Sequence, residues 1–513
     1  MRLRFAVAML ALAAPVVPVA AAQRAAPPPP SCSAPADSDL PAVRAGRRSL
    51  AVLAFDTPSG DQARHDLATA LGSRVSRRLS ALRPRDVIAR PGRTGASGSG
   101  LNRRAGVEAR YLLAATLEPD RPGVSLYVRL LDGSTGREIW RGRFARARER
   151  LHELEGAIAS AVAARTLSDL TNEEVREISA PPTRNPAAYA RFLAGLQASA
   201  RRGRPSARSA IESYDAAWRA DPAFIDAWIH LAAAYSRFLD TDGIAARDAD
   251  AMVVAALTAT DRALALDAGR SEAWVVRADL LQRRNPRAAS AIREAYERAL
   301  AVDPDDWEAH RRLGALLAYV GEHERAATHF RSALFLEPEY PGALTDFAEM
   351  RLTQGRYGEA CALLNAALEA NPSGIDAYIL RVLARIPLRE FRAAWGDAET
   401  AVRLGSPTQG EAVSVLVDVA AEDVTGARAR ARQLAERPMV RSQRALSVRE
   451  AQLLAFAFVA VGERALALQA LQRAQPRGAR LWSVLQHARL QPLRGTTAYQ
   501  VLLTATSPFE DQP

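Results

Sequence analysis

Metal binding is the first chemistry that the side chains of this 513-residue sequence suggest, because three of its seven histidines lie close together. They are His310, His323 and His329. Helix side chains meet when they lie three or four positions apart, so His323 and His329 do not share a helix face. No HExxH or CxxC spacing supplies further ligands. We therefore predict that the chain binds no metal ion.

The two cysteines, Cys32 and Cys361, are the other candidates for redox or covalent chemistry. Cys32 precedes the first predicted domain, whereas Cys361 falls within a predicted helix of the repeat region. Two cysteines placed in this way do not support a disulfide framework. We interpret Cys361 as a small buried core residue. Cys32 follows four prolines rather than an apolar segment, which argues against a lipid anchor.

Lysine is missing from the sequence, and its absence excludes several classes of enzyme. A P-loop needs a lysine on the phosphates, a protein kinase needs one on a strand, and pyridoxal enzymes need one for the Schiff base. The GxSxG motif of serine hydrolases is missing too. We predict a protein that is not an enzyme, with no catalytic residues and no cofactor.

The formal net charge is +11, and all 68 basic residues are arginine. This charge indicates either an acidic partner such as nucleic acid or anionic lipid, or a codon bias that replaces lysine by arginine. Since the arginines are spread along the whole chain, we favour codon bias and expect no nucleic-acid partner. The arginine-rich stretch 428–449 has seven arginines and one acid, Glu436, and could bind an acidic surface or form the polar face of helices.

A period of 34 residues organises the carboxy-terminal two-thirds of the chain. Pro304, Pro338 and Pro372 are 34 positions apart, and Gly321 and Gly355 repeat with the same period. Small residues recur between them at Ala326, Ala333, Ala360 and Ala367. Alanine lets two helices approach closely, and proline ends the second helix because it cannot continue the hydrogen-bond ladder. This pattern resembles the tetratricopeptide repeat, a pair of antiparallel helices.

The resemblance implies about eight helix pairs over residues 187–476, some of them degenerate, and a capping helix and tail at 477–513. Such pairs stack into a right-handed superhelix whose first helices line a concave groove. A protein or peptide ligand is expected in that groove. The side chains that we expect to point into it, each of which could also be a solvated polar residue, are Asp279, Arg283, Glu308, Arg311, Thr345 and Glu349.

A smaller α/β domain is predicted at residues 49–168. Apolar and alternating runs indicate five strands, at 49–56, 86–89, 111–117, 124–131 and 138–144. Amphipathic runs indicate helices at 61–82 and 151–167, and a short helix is expected between the second and third strands. The glycine- and serine-rich stretch 91–100 lacks the GK[ST] ending of a phosphate-binding loop, so we interpret it as a solvated loop.

The segments SLAVLAFD, VIAR, ARYLLAATL and VRLLDGSTGREIWRGRF in this domain resemble the TolB amino-terminal-like domain. That domain is common in bacterial regulators and often directly precedes tetratricopeptide repeats. In such proteins it often follows a DNA-binding, kinase or cyclase domain. In the present sequence a predicted signal peptide stands in that place. The resemblance therefore implies an interaction module without catalytic residues.

The first 22 residues have a basic start, an apolar run and small residues before Gln23, the pattern of a secretory signal peptide. We expect cleavage after Ala22, with an uncleaved membrane anchor as the alternative. A flexible leader rich in proline and alanine is predicted at 23–48, and a linker at 169–186. No later run of 18 apolar residues predicts a membrane span.

These patterns predict a small amino-terminal α/β domain followed by an all-α, right-handed superhelical solenoid of tetratricopeptide type. The predicted function is that of an exported, non-enzymatic scaffold, periplasmic or secreted, which binds other proteins in its groove during cell-envelope assembly. The alternative is a sensory or regulatory subunit of a bacterial signalling system that acts with a partner in trans. Affinity capture would distinguish them.

Overall fold

The computed structural model describes residues 32, 48–53, 55–58, 62–82, 87–90, 109–120, 123–167, 170–201, 204–239, 246–285, 287–338, 340–442, 444–475 and 479–508. The predicted signal peptide, all of the predicted leader except Cys32 and Arg48, and the loop at 91–100 lie outside the described residues. So does the short helix expected between the second and third strands.

The amino-terminal unit is a five-stranded mixed sheet with helices packed on one face. Its strands are β1 (Arg48–Leu53), β2 (Val87–Arg90), β3 (Ala109–Asp120), β4 (Gly123–Asp132) and β5 (Glu138–Ala147). Their spatial order is β2-β1-β3-β4-β5, with β1 parallel to both of its neighbours and the last three strands antiparallel. A parallel pair needs a crossover, which α1 (Gln62–Leu82) provides between β1 and β2. The predicted small α/β unit is confirmed.

The core of this unit lies between the sheet and two helices, α1 and α2 (Leu154–Thr166). Leu71, Val75 and Leu79 from α1 and Ile158 and Val162 from α2 are all fully or almost fully buried in one apolar cluster. A short helix, α3 (Asn172–Ser179), then leads to the array.

Eight helix pairs follow in the part of the chain that the structure describes. They are α4 (Pro186–Ala200) with α5 (Arg204–Ala220), α6 (Ile225–Leu239) with α7 (Ala246–Leu266), α8 (Ser271–Arg284) with α9 (Ala289–Val302), α10 (Trp307–Tyr319) with α11 (His323–Leu336), α12 (Pro341–Thr353) with α13 (Tyr357–Ala370), α14 (Ile375–Arg385) with α15 (Phe391–Arg403), α16 (Pro407–Ala420) with α17 (Val424–Glu436), and α19 (Val448–Val461) with α20 (Arg464–Gln472).

Short elements complete the array. A four-residue helix, α18 (Pro438–Arg441), precedes α19, and the strands β6 (Leu446–Ser447) and β7 (Ala474–Gln475) pair in parallel on either side of the last helix pair. The chain ends in α21 (Ala479–Leu485), a 3₁₀ turn at Ala488–Leu493 and α22 (Thr497–Thr506). The mostly helical solenoid that the 34-residue period predicts is therefore confirmed.

The small residues of the repeat lie where the helices of a pair touch. The repeated alanines at 326, 333, 360 and 367 are buried, at no more than 1% exposure. In α10, a side chain at Gly314 would begin 3.3 Å from the ring of Phe330 on α11, which is tighter than ordinary packing. Small side chains at these positions allow the close helix approach on which each pair depends.

Tight turns between the two helices of a pair require a left-handed backbone, and only some of them have glycine there. Gly321 and Gly355 have φ of +91° and +73°. One period later the same position holds Arg389 at φ 61°, and the next turn holds Glu422 at φ 67°. A residue with a Cβ costs about 1–2 kcal/mol in this conformation. The third and fourth of these turns are therefore strained relative to the first two.

Replacing the strained arginine by glycine should stabilise the array. For Arg389→Gly we expect a gain of about 0.5–1 kcal/mol, since relief of the left-handed strain exceeds the extra chain entropy that glycine loses on folding. The midpoint of urea unfolding, followed by circular dichroism, measures the change. Gly355→Arg is the matched control: nothing lies closer than 3.9 Å to its added Cβ, so it should destabilise through backbone strain alone. A lower urea midpoint for Arg389→Gly than for the unchanged chain would show that the backbone at Arg389 is not strained.

A buried ion cluster joins the sheet unit to the array. Arg74 on α1 is 6% exposed, and its guanidinium lies 2.9 Å from Glu155 on α2 and 2.5 Å from Asp226 on α6. Arg78 and Arg270 add further contacts to the same two carboxylates. Burial alone would raise the pKa of Asp226, but Arg74 and Arg270 outweigh it and hold that pKa well below its usual range. Asp226 therefore stays ionised, and its ion pair with Arg74 fixes α1 against the array.

Removing the arginine alone should be far more costly than neutralising the cluster. Arg74→Met leaves two buried carboxylates short of a cation, and we expect a loss of about 3–5 kcal/mol. The triple variant Arg74→Met, Glu155→Gln, Asp226→Asn should recover part of that loss because no unpaired anion remains. Urea unfolding at pH 7 measures both proteins. Equal stability of the single variant and the unchanged chain would refute this account of the domain contact.

Our expectation for the cysteines was wrong. Cys32 and Cys361 form a disulfide that links the leader to α13, across 329 sequence positions. Cys361 is fully buried, as expected of a core residue, but its sulfur is bonded rather than free. The separation of the two cysteines along the chain hid their proximity, because only the stacking of the array brings the leader to α13.

Candidate functional site

The inner wall of the array is built from the first helix of each pair. Along the array α6 packs on α8, α8 on α10, α10 on α12, α12 on α14 and α14 on α16. The predicted groove residues lie on three of these helices, α8, α10 and α12. The structure divides them between an open region and a region that the chain itself covers.

The open region is a cavity of about 1450 Å³ between α1 of the sheet unit and the inner wall. Among the residues that line it are Arg77 on α1, His230 on α6 and the predicted groove residues Asp279, Arg283 and Glu308. Pockets for small molecules usually have volumes of about 300–1,000 Å³. This cavity exceeds that range and is open on one side, so its size suits a length of polypeptide.

Charged side chains of the inner wall pair with one another between neighbouring helices, and of these Asp279, Glu308 and Arg312 line the cavity. Arg312 lies 3.1 Å from Asp279 and 2.8 Å from Glu308, and Arg311 lies 2.8 Å from Glu308 and 2.6 Å from Asp346. The four helix-to-helix and within-helix pairs form a continuous ladder from α8 to α12. A ligand can bind here by exchanging its own charged or amide groups for members of this ladder.

Burial raises the pKa of one acid in this ladder and of one acid at the start of α10. It raises the pKa of Asp279 despite the nearby Arg312, and Tyr296 donates a hydrogen bond of 2.6 Å to the carboxylate of Asp279. Burial also raises the pKa of Asp306, at the start of α10, to about 6. The backbone N–H of Ala309 donates to Asp306, which caps the helix.

Arg283 and Thr345 make weaker contributions to the wall. Arg283 lines the cavity and donates to Ser236 on α6 at 3.2 Å. The hydroxyl of Thr345 donates to the carbonyl of Pro341 in its own helix at 2.7 Å. The hydroxyl of Thr345 therefore has its hydrogen-bond partner within its own helix.

The chain's own carboxy-terminal elements cover the wall around Glu349. Its carboxylate lies 2.6 Å from Arg449 at the start of α19 and 3.3 Å from Arg480 on α21. The guanidinium of Arg480 also lies over the ring of Tyr319, 5.8 Å from its centroid. Only a small cavity of about 100 Å³ remains there. Three of the predicted groove residues, Asp279, Arg283 and Glu308, thus line the large cavity, whereas Glu349 is covered. Arg311 pairs with Glu308 and Asp346 between these two regions, and Thr345 bonds within its own helix.

Sequence reasoning missed the residues that come from outside the repeats. Arg74 and Arg77 of α1 line the cavity, and Arg449 and Arg480 cover the wall around Glu349. These side chains lie 100 or more positions from their partners in the array, and no local pattern signals such a contact. The neighbour of a predicted residue, Arg312, could have been found from the sequence, since it adjoins Arg311 on the same helix.

The arginine-rich stretch 428–449 is largely occupied by internal contacts. Arg430 lies 3.1 Å from Asp418 and 4.5 Å from the ring centroid of Trp395. Arg437 pairs with Glu411. Arg449, as described above, pairs with Glu349. These contacts agree with the interpretation of the stretch as the polar face of helices.

Two of the clustered histidines contact each other. His310 Nδ1 lies 2.9 Å from His329 Nδ1, and His310 Nε2 lies 3.0 Å from the carbonyl of Pro304. The carbonyl can only accept, so the Nε2 of His310 carries the proton and His329 donates to His310. Burial, and next the proximity of His310, lower the pKa of His329 to about 4. Among the described residues no group of three or more His, Cys, Asp or Glu is placed to hold a metal ion.

Comparison with known proteins identifies the repeats. The tetratricopeptide-repeat family matches residues 317–386. The DnaJ homolog subfamily C member 7 homolog of Schizosaccharomyces pombe is 28% identical over 123 residues, which are 21% of this chain and 26% of that protein. The probable biofilm formation methyltransferase WspC of Pseudomonas putida is 33% identical over 86 residues, 17% of this chain and 20% of that one. The chain thus spans about a quarter or less of these curated relatives.

Solved structures that are similar to parts of the chain include other repeat proteins. The thermophilic TPR protein TTC0263 of Thermus thermophilus is 21% identical, with a TM-score of 0.33, and is covered completely by 39% of this chain. Yeast Tom70 is 11% identical with a TM-score of 0.37, over 70% of this chain and 81% of that one. No described helix is sufficiently long and apolar to cross a bilayer. From the family match and the helix pairs, the chain therefore contains tetratricopeptide repeats, arranged as a helical solenoid behind a small sheet-containing unit.

Proposed function

We propose that the protein is a non-enzymatic scaffold that binds a segment of another protein in the cavity between α1 and the inner wall. The observation that carries this proposal is the cavity itself, with its volume of about 1450 Å³ and its wall of three consecutive first helices, α6, α8 and α10. Stacked helix pairs commonly present such a wall to peptides or helices. The paired charges along the wall offer a polypeptide both donors and acceptors.

The sheet unit contributes one side of this site. Because the ion cluster around Arg74 fixes α1 against α2 and α6, the entrance of the cavity has a defined width in the absence of ligand. A preformed site loses less conformational entropy on binding than a flexible one. We infer that the sheet unit, with its likeness to TolB amino-terminal domains in sequence, acts as an interaction module rather than as a separate catalytic domain. The absence of lysine from the chain supports a non-catalytic role.

We further propose that the protein works outside the cytoplasm, in the periplasm or after secretion, and takes part in assembly of the cell envelope. The disulfide between Cys32 and Cys361 supports an oxidising compartment, because cytosolic thiols are normally kept reduced. The amino-terminal sequence pattern of an export signal agrees with this location.

A bulky side chain inside the cavity should weaken binding of the partner segment. Ala233 on α6 lines the cavity and is partly exposed, so Ala233→Trp can fill the space without opening the core. We expect at least a tenfold loss of affinity, which corresponds to about 1.4 kcal/mol. The full-length protein is cross-linked to a cell-envelope fraction, and the cross-linked peptides are mapped by mass spectrometry.

The matched control is Ala255→Trp on the exposed side of α7, which should leave binding unchanged. Cross-links that map to the cavity in the unchanged chain and disappear only in Ala233→Trp support the proposal. Cross-links that remain in Ala233→Trp, or that never involve α6, α8 or α10, would refute it. Capture of a sensor kinase or transcription factor through the cavity would identify the regulatory alternative as the biological role.

A further inference from the structure

The region around Cys32 and Cys361 has features that the disulfide alone does not require. Cys32 is the one described residue of the leader on the amino-terminal side of β1, and it is 3% exposed. It lies in a cleft between α13 and the start of α15, which are the second helices of two neighbouring pairs. The cleft is thus on the side of the array opposite to the inner wall that the first helices form.

Two side chains bind the two polar backbone groups of Cys32. Its N–H donates to Oε1 of Glu390 at 2.8 Å, and its carbonyl accepts a hydrogen bond from Nδ2 of Asn365 at 3.0 Å. Cys32 lies in a turn and is almost fully buried. Since buried backbone groups need hydrogen-bond partners, the two side chains supply the partners that no helix or strand provides. We call Asn365 and Glu390 the backbone clamp.

The backbone clamp is held in position by ion pairs that do not involve the leader. Arg381 on α14 donates to Oδ1 of Asn365 at 2.8 Å, which turns the amide nitrogen of Asn365 toward Cys32. Arg381 is itself fixed by two hydrogen bonds of 2.9 and 2.7 Å to Asp397. Arg385 lies 2.6 Å from Asp397 and 3.6 Å from Glu390. The array therefore orients both halves of the clamp by itself.

We propose that this cleft is a second polypeptide-binding site, on the outer side of the array, and that its occupant is the chain's own leader, held at Cys32. The backbone clamp binds the leader at Cys32, and the disulfide then locks it covalently. The lock and the clamp are separate: reduction adds two electrons and two protons and gives two thiols, but it leaves both hydrogen bonds of the clamp available. This site does not depend on what binds in the inner cavity.

A redox titration of the full-length oxidised protein tests whether the clamp contributes to holding the leader. The protein is equilibrated with mixtures of reduced and oxidised dithiothreitol, in which the dithiol becomes a cyclic disulfide as it reduces the protein. Free thiols are then alkylated and counted by mass. In Asn365→Ala and Glu390→Ala the leader is bound less tightly, so the midpoint should move to a lower ratio of dithiol to disulfide. For the double variant we expect a shift of roughly tenfold or more.

Glu369→Ala, an exposed substitution on the same helix as Cys361, is the control and should titrate like the unchanged chain. Identical midpoints for the control and the clamp double variant would overturn the proposal. The proposal would also be overturned if Cys32 and Cys361 remained free thiols after prolonged incubation with excess oxidised dithiothreitol.

A second measurement uses a variant that lacks the disulfide but keeps the backbone clamp. In Cys32→Ser the leader can stay in the cleft only by hydrogen bonding, and the thiol of Cys361 should then react slowly with a maleimide. Adding Asn365→Ala and Glu390→Ala to that variant should raise the alkylation rate of Cys361 by roughly tenfold. Circular dichroism and the thermal midpoint confirm that both variants are folded. Equal alkylation rates in the two folded variants would show that the clamp does not hold the leader.

Discussion

Each helix pair of the array has apolar faces that its own two helices cannot bury, and only a neighbouring pair or a different element can cover them. This constraint governs the interior of the solenoid, where alanine and glycine at the contact points allow each pair to approach the next. It governs the two ends of the solenoid more severely, because there the row of pairs stops. Both ends of the solenoid are covered by structure that does not belong to a regular repeat.

At the first end the sheet unit takes the place of a missing pair. Helix α1 packs on α4, and the buried contact of Arg74 with Glu155 and Asp226 holds the unit in one orientation. A buried charge that loses its partner costs several kcal/mol. The ion cluster therefore permits only one orientation of the sheet unit against the array. The sheet unit therefore has two roles, one in covering the array and one in forming a wall of the large cavity.

At the other end the chain turns back over its own inner wall. Arg449 and Arg480 reach the single carboxylate of Glu349, and α21 packs against α10. The inner wall is in this way divided into a covered half and an open half. The proposed polypeptide site consequently lies in the half that faces α1, and the covered half contributes to stability.

The sequence predicted those features that are determined within one repeat. The 34-residue period located the helix pairs, and Gly321 and Gly355 marked turns that do have a left-handed backbone. The same turn at Arg389 carries no such mark, because a neighbouring pair can impose the conformation on a residue that does not favour it. Contacts between distant parts of the chain left no local pattern. The pairing of Cys32 with Cys361 and of Glu349 with Arg480 depends on the curvature of the whole stack, which composition and periodicity do not encode.

The disulfide between the leader and α13 also determines how mechanical tension passes through the molecule. Residues 32–361 form a covalent loop that contains the sheet unit, the first four helix pairs and α12. Tension applied to the chain ahead of Cys32 enters the fold at α13 and bypasses everything inside the loop. In the oxidised protein, pulling on the amino terminus can therefore extend only the pairs beyond α13, whereas the cavity and the ion cluster carry none of the load.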